Sequence, residues 1–82
     1  MITVLLFAHY RELLGCDKIT VADQGLQTIA ELVAHLRAKG GNWETVFSRQ
    51  NLLIAKNETH CQLDAVINAG DEVAFFPPVS GG

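Results

Sequence analysis

An α+β roll is the fold class that the sequence predicts, on three observations. Apolar segments of period two open and close the chain, one amphipathic helix lies between them, and the other segments are short and punctuated by turn residues. A single helix among several strands cannot supply the repeated strand–helix units of a doubly wound parallel sheet. Eighty-two residues provide one domain with one core.

Ile2, Val4, Leu6 and Ala8 alternate with Thr3, Leu5, Phe7 and His9, and both faces are fairly apolar, so the first strand is expected in the interior of a sheet. Tyr10 to Leu14 ahead of Gly15 reads as one helical turn closed by a glycine, and Lys18 to Ala22 as a second strand, the two strands forming a wide hairpin. Thr28-Ile29-Ala30-Glu31 is a capping box. Ile29, Leu32, Val33 and Leu36 then share one helical face, and Gly40-Gly41 is the expected stop. Trp43, Val46 and Phe47 predict a short turn at the core edge. Leu52 to Lys56 is a third strand, Asn57-Glu58 a turn, and Thr59 to Leu63 a short edge strand. Asn68 to Asp71 turns the chain into a last strand, Glu72 to Phe76. First and last strands paired in the middle, with one helix crossing the sheet, make a β-grasp arrangement with a mixed sheet.

The formal net charge is −3, and Arg11, Lys18, Arg37, Lys39, Arg49 and Lys56 are scattered rather than gathered into a stripe, which excludes a nucleic-acid partner. The apolar run Ile2 to Ala8 has no basic lead-in and is too short for a membrane span, so neither signal peptide nor anchor is read there. Cys16 and Cys61 lack C-x-x-C spacing and the density of a disulfide scaffold; they are expected as buried, reduced thiols in a cytoplasmic protein. Neither has a visible base partner, and His9, His35 and His60 lack metal-ligand spacing, so no metal site is expected. With Glu31 spent on capping and Asp71-Glu72 on a turn, no carboxylate pair remains for acid–base catalysis, and the chain is not expected to be an enzyme by itself.

Chemistry is expected at the end of the chain instead. Pro77 and Pro78 fix φ and donate no ladder hydrogen bonds, so the last strand should stop at Phe76 and continue as an extended tail over residues 77–82, flexible at its Gly-Gly end. Val79 to Gly82 would reach roughly 13 Å beyond the 1–76 domain. Gly81 and Gly82 have no Cβ, so the end can thread a passage too narrow for side chains and leave the Gly82 carbonyl carbon unobstructed.

On particular residues the chain resembles the ubiquitin-like sulfur carriers, and within them the small subunits of molybdopterin synthase. The matching pieces are Phe7-Ala8 followed by Arg11-Glu12-Leu13 and Gly15, then Ala55-Lys56-Asn57, and above all Gly70 through Phe75-Phe76-Pro77-Pro78-Val79-Ser80-Gly81-Gly82. The resemblance implies that an adenylating enzyme akin to those that activate ubiquitin uses ATP to make a Gly82 acyl-adenylate. A sulfurtransferase then supplies the sulfur of a thiocarboxylate, and the large synthase subunit receives the tail and passes sulfur to a cyclic pyranopterin monophosphate. It further implies no bound cofactor, a heterotetramer built on the large subunit, Gly81 as clearance beside the reacting Gly82, and Val79 and Ser80 as the inserted lead after Pro77 and Pro78. Phe7 and Phe75 are then the docking candidates, each opposite in phase to an expected core residue, Leu6 and Phe76; Arg11 is a candidate for an acidic group on a partner, against the plainer reading of a solvated charge. Two other readings stay open: carrier chemistry for another client, such as thiamine, tRNA thiolation or lysine modification, and a noncovalent β-grasp interaction module.

Overall fold

The computed structural model describes residues 1–49 and 51–78. Strand β1 (Ile2–Leu6) is followed by helix α1 (His9–Leu14), strand β2 (Lys18–Val21), helices α2 (Ile29–Arg37) and α3 (Asn42–Phe47), and strands β3 (Leu53–Lys56), β4 (Thr59–His60) and β5 (Glu72–Phe76). The five strands form one sheet in the order β2-β1-β5-β3-β4. β1 runs parallel to β5 and antiparallel to β2, and β3 is antiparallel to both β5 and β4. First and last strands therefore pair at the centre, which is the β-grasp arrangement.

Alternation explains the core. Ile2, Val4 and Leu6 of β1 and Val73 and Phe75 of β5 are buried on one face, where α2 delivers Ile29, Leu32, Val33 and Leu36. Phe47 of α3 meets the Phe75 ring edge to face, with centroids 5.0 Å apart, and Trp43 stacks on Phe47. Tyr10 of α1 is fully buried too; its hydroxyl has no hydrogen-bond partner among the described residues.

The capping box forms as the sequence predicts. The Glu31 amide donates to Thr28 Oγ1 at 3.3 Å, and the Thr28 amide donates to Glu31 Oε1 at 3.1 Å. α2 ends at Arg37, short of the glycines: Ala38 caps it in right-handed geometry, and Gly40 and Gly41, with φ of 77° and 59°, turn the chain into α3. The edge strand is also shorter than expected. β4 stops at His60 because the chain swings toward the start of α2, where the Ala30 amide donates to the Leu63 carbonyl and the Ile29 amide to that of Ala65.

A polar clasp sets where β5 begins. The Asp71 carboxylate accepts from Asn57 Nδ2 at 3.0 Å and from the Asn68 amide at 2.8 Å, while the Glu72 amide donates to Asn57 Oδ1 at 2.9 Å. The Asn57 side-chain amide and the Asn68 backbone amide hold the Asp71 carboxyl below the usual carboxylate range.

Two outcomes follow from these contacts. Thr28→Ala should lower stability by about 1 kcal/mol in a denaturant titration, because the Glu31 amide in the first turn of α2 loses its side-chain acceptor. Asp71 has a depressed folded-state pKa, so its contribution is complete above the ordinary aspartate range and is lost as pH falls through the folded value. Asp71→Asn should accordingly flatten the acid limb of the stability-versus-pH curve; an unchanged acid limb would show that the clasp is not coupled to folding.

Candidate functional site

The face of the sheet turned away from α2 is the candidate site, and strand parity decides what stands on it. Thr3 pairs with Glu72, Leu5 with Ala74 and Leu6 with Phe75 across the parallel ladder, and Phe76 pairs with Leu53 across the antiparallel one. Leu6 and Phe75 point together into the core, with 1% and 0% exposure. Leu5, Ala74 and Phe76 therefore lie on the open face. Phe7 follows β1 on the same face, 41% exposed, and its amide donates to the Phe75 carbonyl, continuing the ladder past the end of β1.

Phe7 and Phe76 stack there, with centroids 5.2 Å apart and planes 14° from parallel. The His60 ring extends the stack on the other side of Phe76, 6.4 Å away and inclined by 24°. A stacked pair of phenylalanines on the open face, Phe7 exposed and Phe76 half-buried, with an imidazole beside it is an amphipathic surface suited to a protein partner. Directly after Phe7, Ala8 takes φ of 55°, an unfavourable value for a residue with a Cβ, and this turns the chain at once from β1 into α1.

The aromatic pair on the open face is thus Phe7 with Phe76, and the expectation that Phe75 is exposed is overturned. Phe75 fills the core against Phe47, and Phe76, expected inside, is half-buried on the open face. Sequence reasoning missed Phe76 although a signal was present: Glu72 shares its parity, and an unpaired carboxylate does not face a core. Arg11 is exposed on α1, within reach of solvent and any partner. Pro77 is half-buried and Pro78 exposed beyond the last ladder pair, so β5 ends at Phe76 as expected. Val79, Ser80, Gly81 and Gly82 lie outside the described residues.

The remaining chemistry-bearing side chains do not converge. Cys16 and Cys61 are free and half-buried rather than fully buried, as each packs at the core margin. Burial pushes the Cys61 thiol up, which favours its protonated form. His9 lies beside Arg49 and Tyr10, His35 is exposed on α2, and His60 belongs to the aromatic stack. Among the described residues no group of three or more His, Cys, Asp or Glu is arranged to hold a metal ion, and no helix is long and apolar enough to cross a membrane.

The sequence matches the ThiS family model over residues 4–82. It is 43% identical over 82 residues to the molybdopterin synthase sulfur carrier subunit of Haemophilus influenzae, covering 100% of both chains. It is 44% identical over 82 residues to the subunit of the same name in Escherichia coli, again covering 100% of both. Among solved structures, SAMP1 from Haloferax volcanii superposes with a TM-score of 0.82 at 28% identity, covering 99% of this chain and 98% of that one.

Truncation separates the two phenylalanines of β5. Phe75→Ala should cost about 3–5 kcal/mol in urea unfolding, as for other buried phenylalanines. Phe76→Ala should cost far less, because its ring is only half-buried on the open face and stacks on exposed neighbours. Equal losses at the two positions would contradict the parity described here.

Proposed function

The chain belongs to the ThiS family, and from that premise we propose that it is the sulfur carrier subunit of molybdopterin synthase. The observation that carries this reading is identity of 43–44% along the whole chain to two proteins bearing that name. The Phe-Phe-Pro-Pro lead into Val79-Ser80-Gly81-Gly82 supports it, since the sheet anchors Phe76 and the prolines end the ladder just before the glycines.

On this reading Gly82 is the reacting group. An α-carboxylate is ionised at neutral pH and is a poor electrophile, so it must be activated before sulfur can enter. Its oxygen attacks the α-phosphorus of ATP on an adenylating enzyme, and pyrophosphate leaves. A sulfur nucleophile supplied through a sulfurtransferase then adds to the carbonyl carbon, AMP leaves, and a thiocarboxylate remains. This soft anion enters the synthase large subunit and transfers sulfur to a cyclic pyranopterin monophosphate; water restores the carboxylate. A dithiolene takes two sulfurs, hence two carrier turnovers per product.

General acids, bases and the phosphate site belong to the partners, with this chain as the sulfur-donating member of the complex and the cytoplasm as its place of action. Gly81 gives clearance, Val79 and Ser80 lead the insertion, and Phe7 with Phe76 provides the apolar docking surface. Arg11 stands exposed for an acidic group on a partner.

Intact mass after incubation with ATP, the adenylating enzyme and a sulfur donor tests the proposal. The expected result is a gain equal to oxygen replaced by sulfur in the full chain and none in a chain lacking Gly82. The product should then support molybdopterin formation with the large subunit. An unchanged mass, with the same enzymes active on another carrier, would overturn it.

A further inference from the structure

The open face of the sheet carries more than the aromatic stack. A trough of about 340 Å³ runs across it, lined by Leu5, Ala55, Ala74, the rings of Phe7, Phe76 and His60, and two glutamates, Glu58 and Glu72. Its floor follows from register. Leu5 pairs with Ala74, Ala74 with Ala55, and Ala55 with His60, so one row crosses four strands and its two central members are methyl groups. The Phe7–Phe76 stack walls one side.

The glutamates mark the other side, and the backbone holds them there. Asn57 and Glu58 both take positive φ, 50° and 70°, in the two-residue turn between β3 and β4. Asn57 is tied twice to Glu72: its amide donates to the Glu72 carbonyl at 2.8 Å, and its Oδ1 accepts from the Glu72 amide at 2.9 Å. The turn that presents Glu58 is thereby fastened beside the strand residue that presents Glu72. Neither carboxylate has a cationic partner among the described residues; Lys56, the nearest cation in sequence, donates from Nζ to the Val66 carbonyl.

We infer that this trough receives an arginine side chain of the protein that docks on the sheet face, which on the reading proposed above is the synthase large subunit. Charge complementarity selects a cation, because two carboxylates flank the trough and His60 is its only other titratable lining group. The alanine floor suits an aliphatic stem lying flat. A planar guanidinium fits better than an ammonium: its forked donors can reach both carboxylates while its aliphatic stem crosses the alanine floor toward the Phe76 and His60 rings. The volume is at the lower limit of small-molecule pockets, consistent with one inserted side chain.

The test uses the thiocarboxylated chain and the isolated large subunit, with affinity measured at low and at raised salt. Glu58→Gln with Glu72→Gln should weaken binding about tenfold or more and reduce its salt dependence. Both positions are exposed, so the fold should survive, and circular dichroism verifies this. Ala74→Leu, which fills the floor, should weaken binding as well. Unchanged affinity and salt dependence in the double variant would overturn the inference whatever Ala74→Leu does. Failure of the carrier reading would appear elsewhere, as a wild-type chain that gains no sulfur.

Discussion

The parallel pairing of β1 with β5 is the constraint on which the rest of the structure depends. It joins the two ends of the described chain at the centre of the sheet, and its register places Leu6 opposite Phe75 and Leu5 opposite Ala74. Because strand side chains alternate, a slip by one residue would carry Phe75 out to solvent and Phe76 into the core. The same register continues beyond β1 through the Phe7 amide, which brings the Phe7 ring onto that of Phe76. Core, open-face aromatic stack and the point where the chain leaves the sheet at Pro77 are thus consequences of a single ladder.

Short polar contacts keep that ladder in place. Asn57 and Asp71 lie 14 residues apart and meet at 3.0 Å, so the β3–β4 turn is fastened to the start of β5. At the same end of the sheet the N-terminal ammonium donates to Asp23 at 2.7 Å, which draws the Asp23 carboxyl below its ordinary range and holds the start of β1 beside the end of β2. Such exposed pairs contribute little energy individually. Their effect here is geometric, because both act at the ends of central strands, where register is decided.

On the proposed reading, function is divided between a rigid surface and a short chain end. Capping, aromatic packing and the paired strands make the domain a platform, while the chemistry proposed for Gly82 needs only that the last residues be free of bulk. A carrier of this kind has no use for its own acids and bases. The cysteines are half-buried and the histidines exposed, spread over separate elements among the described residues, whereas groups that must act together in catalysis have to be gathered by the fold.

The sequence by itself determined what depends on neighbouring residues: the capping box at Thr28, the left-handed Gly15 that closes α1, the turn at Asn57-Glu58, the end of β5 before Pro77, and the glycine pair of the tail. It also determined the central place of β1, since both faces of that segment are apolar. Tertiary structure alone decided which phenylalanine of Phe75-Phe76 enters the core. Two adjacent aromatic residues satisfy a strand equally well in either phase, and only the register with β1 and the cavity beside Phe47 distinguish them. It likewise decided that Glu58 and Glu72 share one trough, because that outcome rests on contacts between segments apart along the chain, which local pattern does not encode.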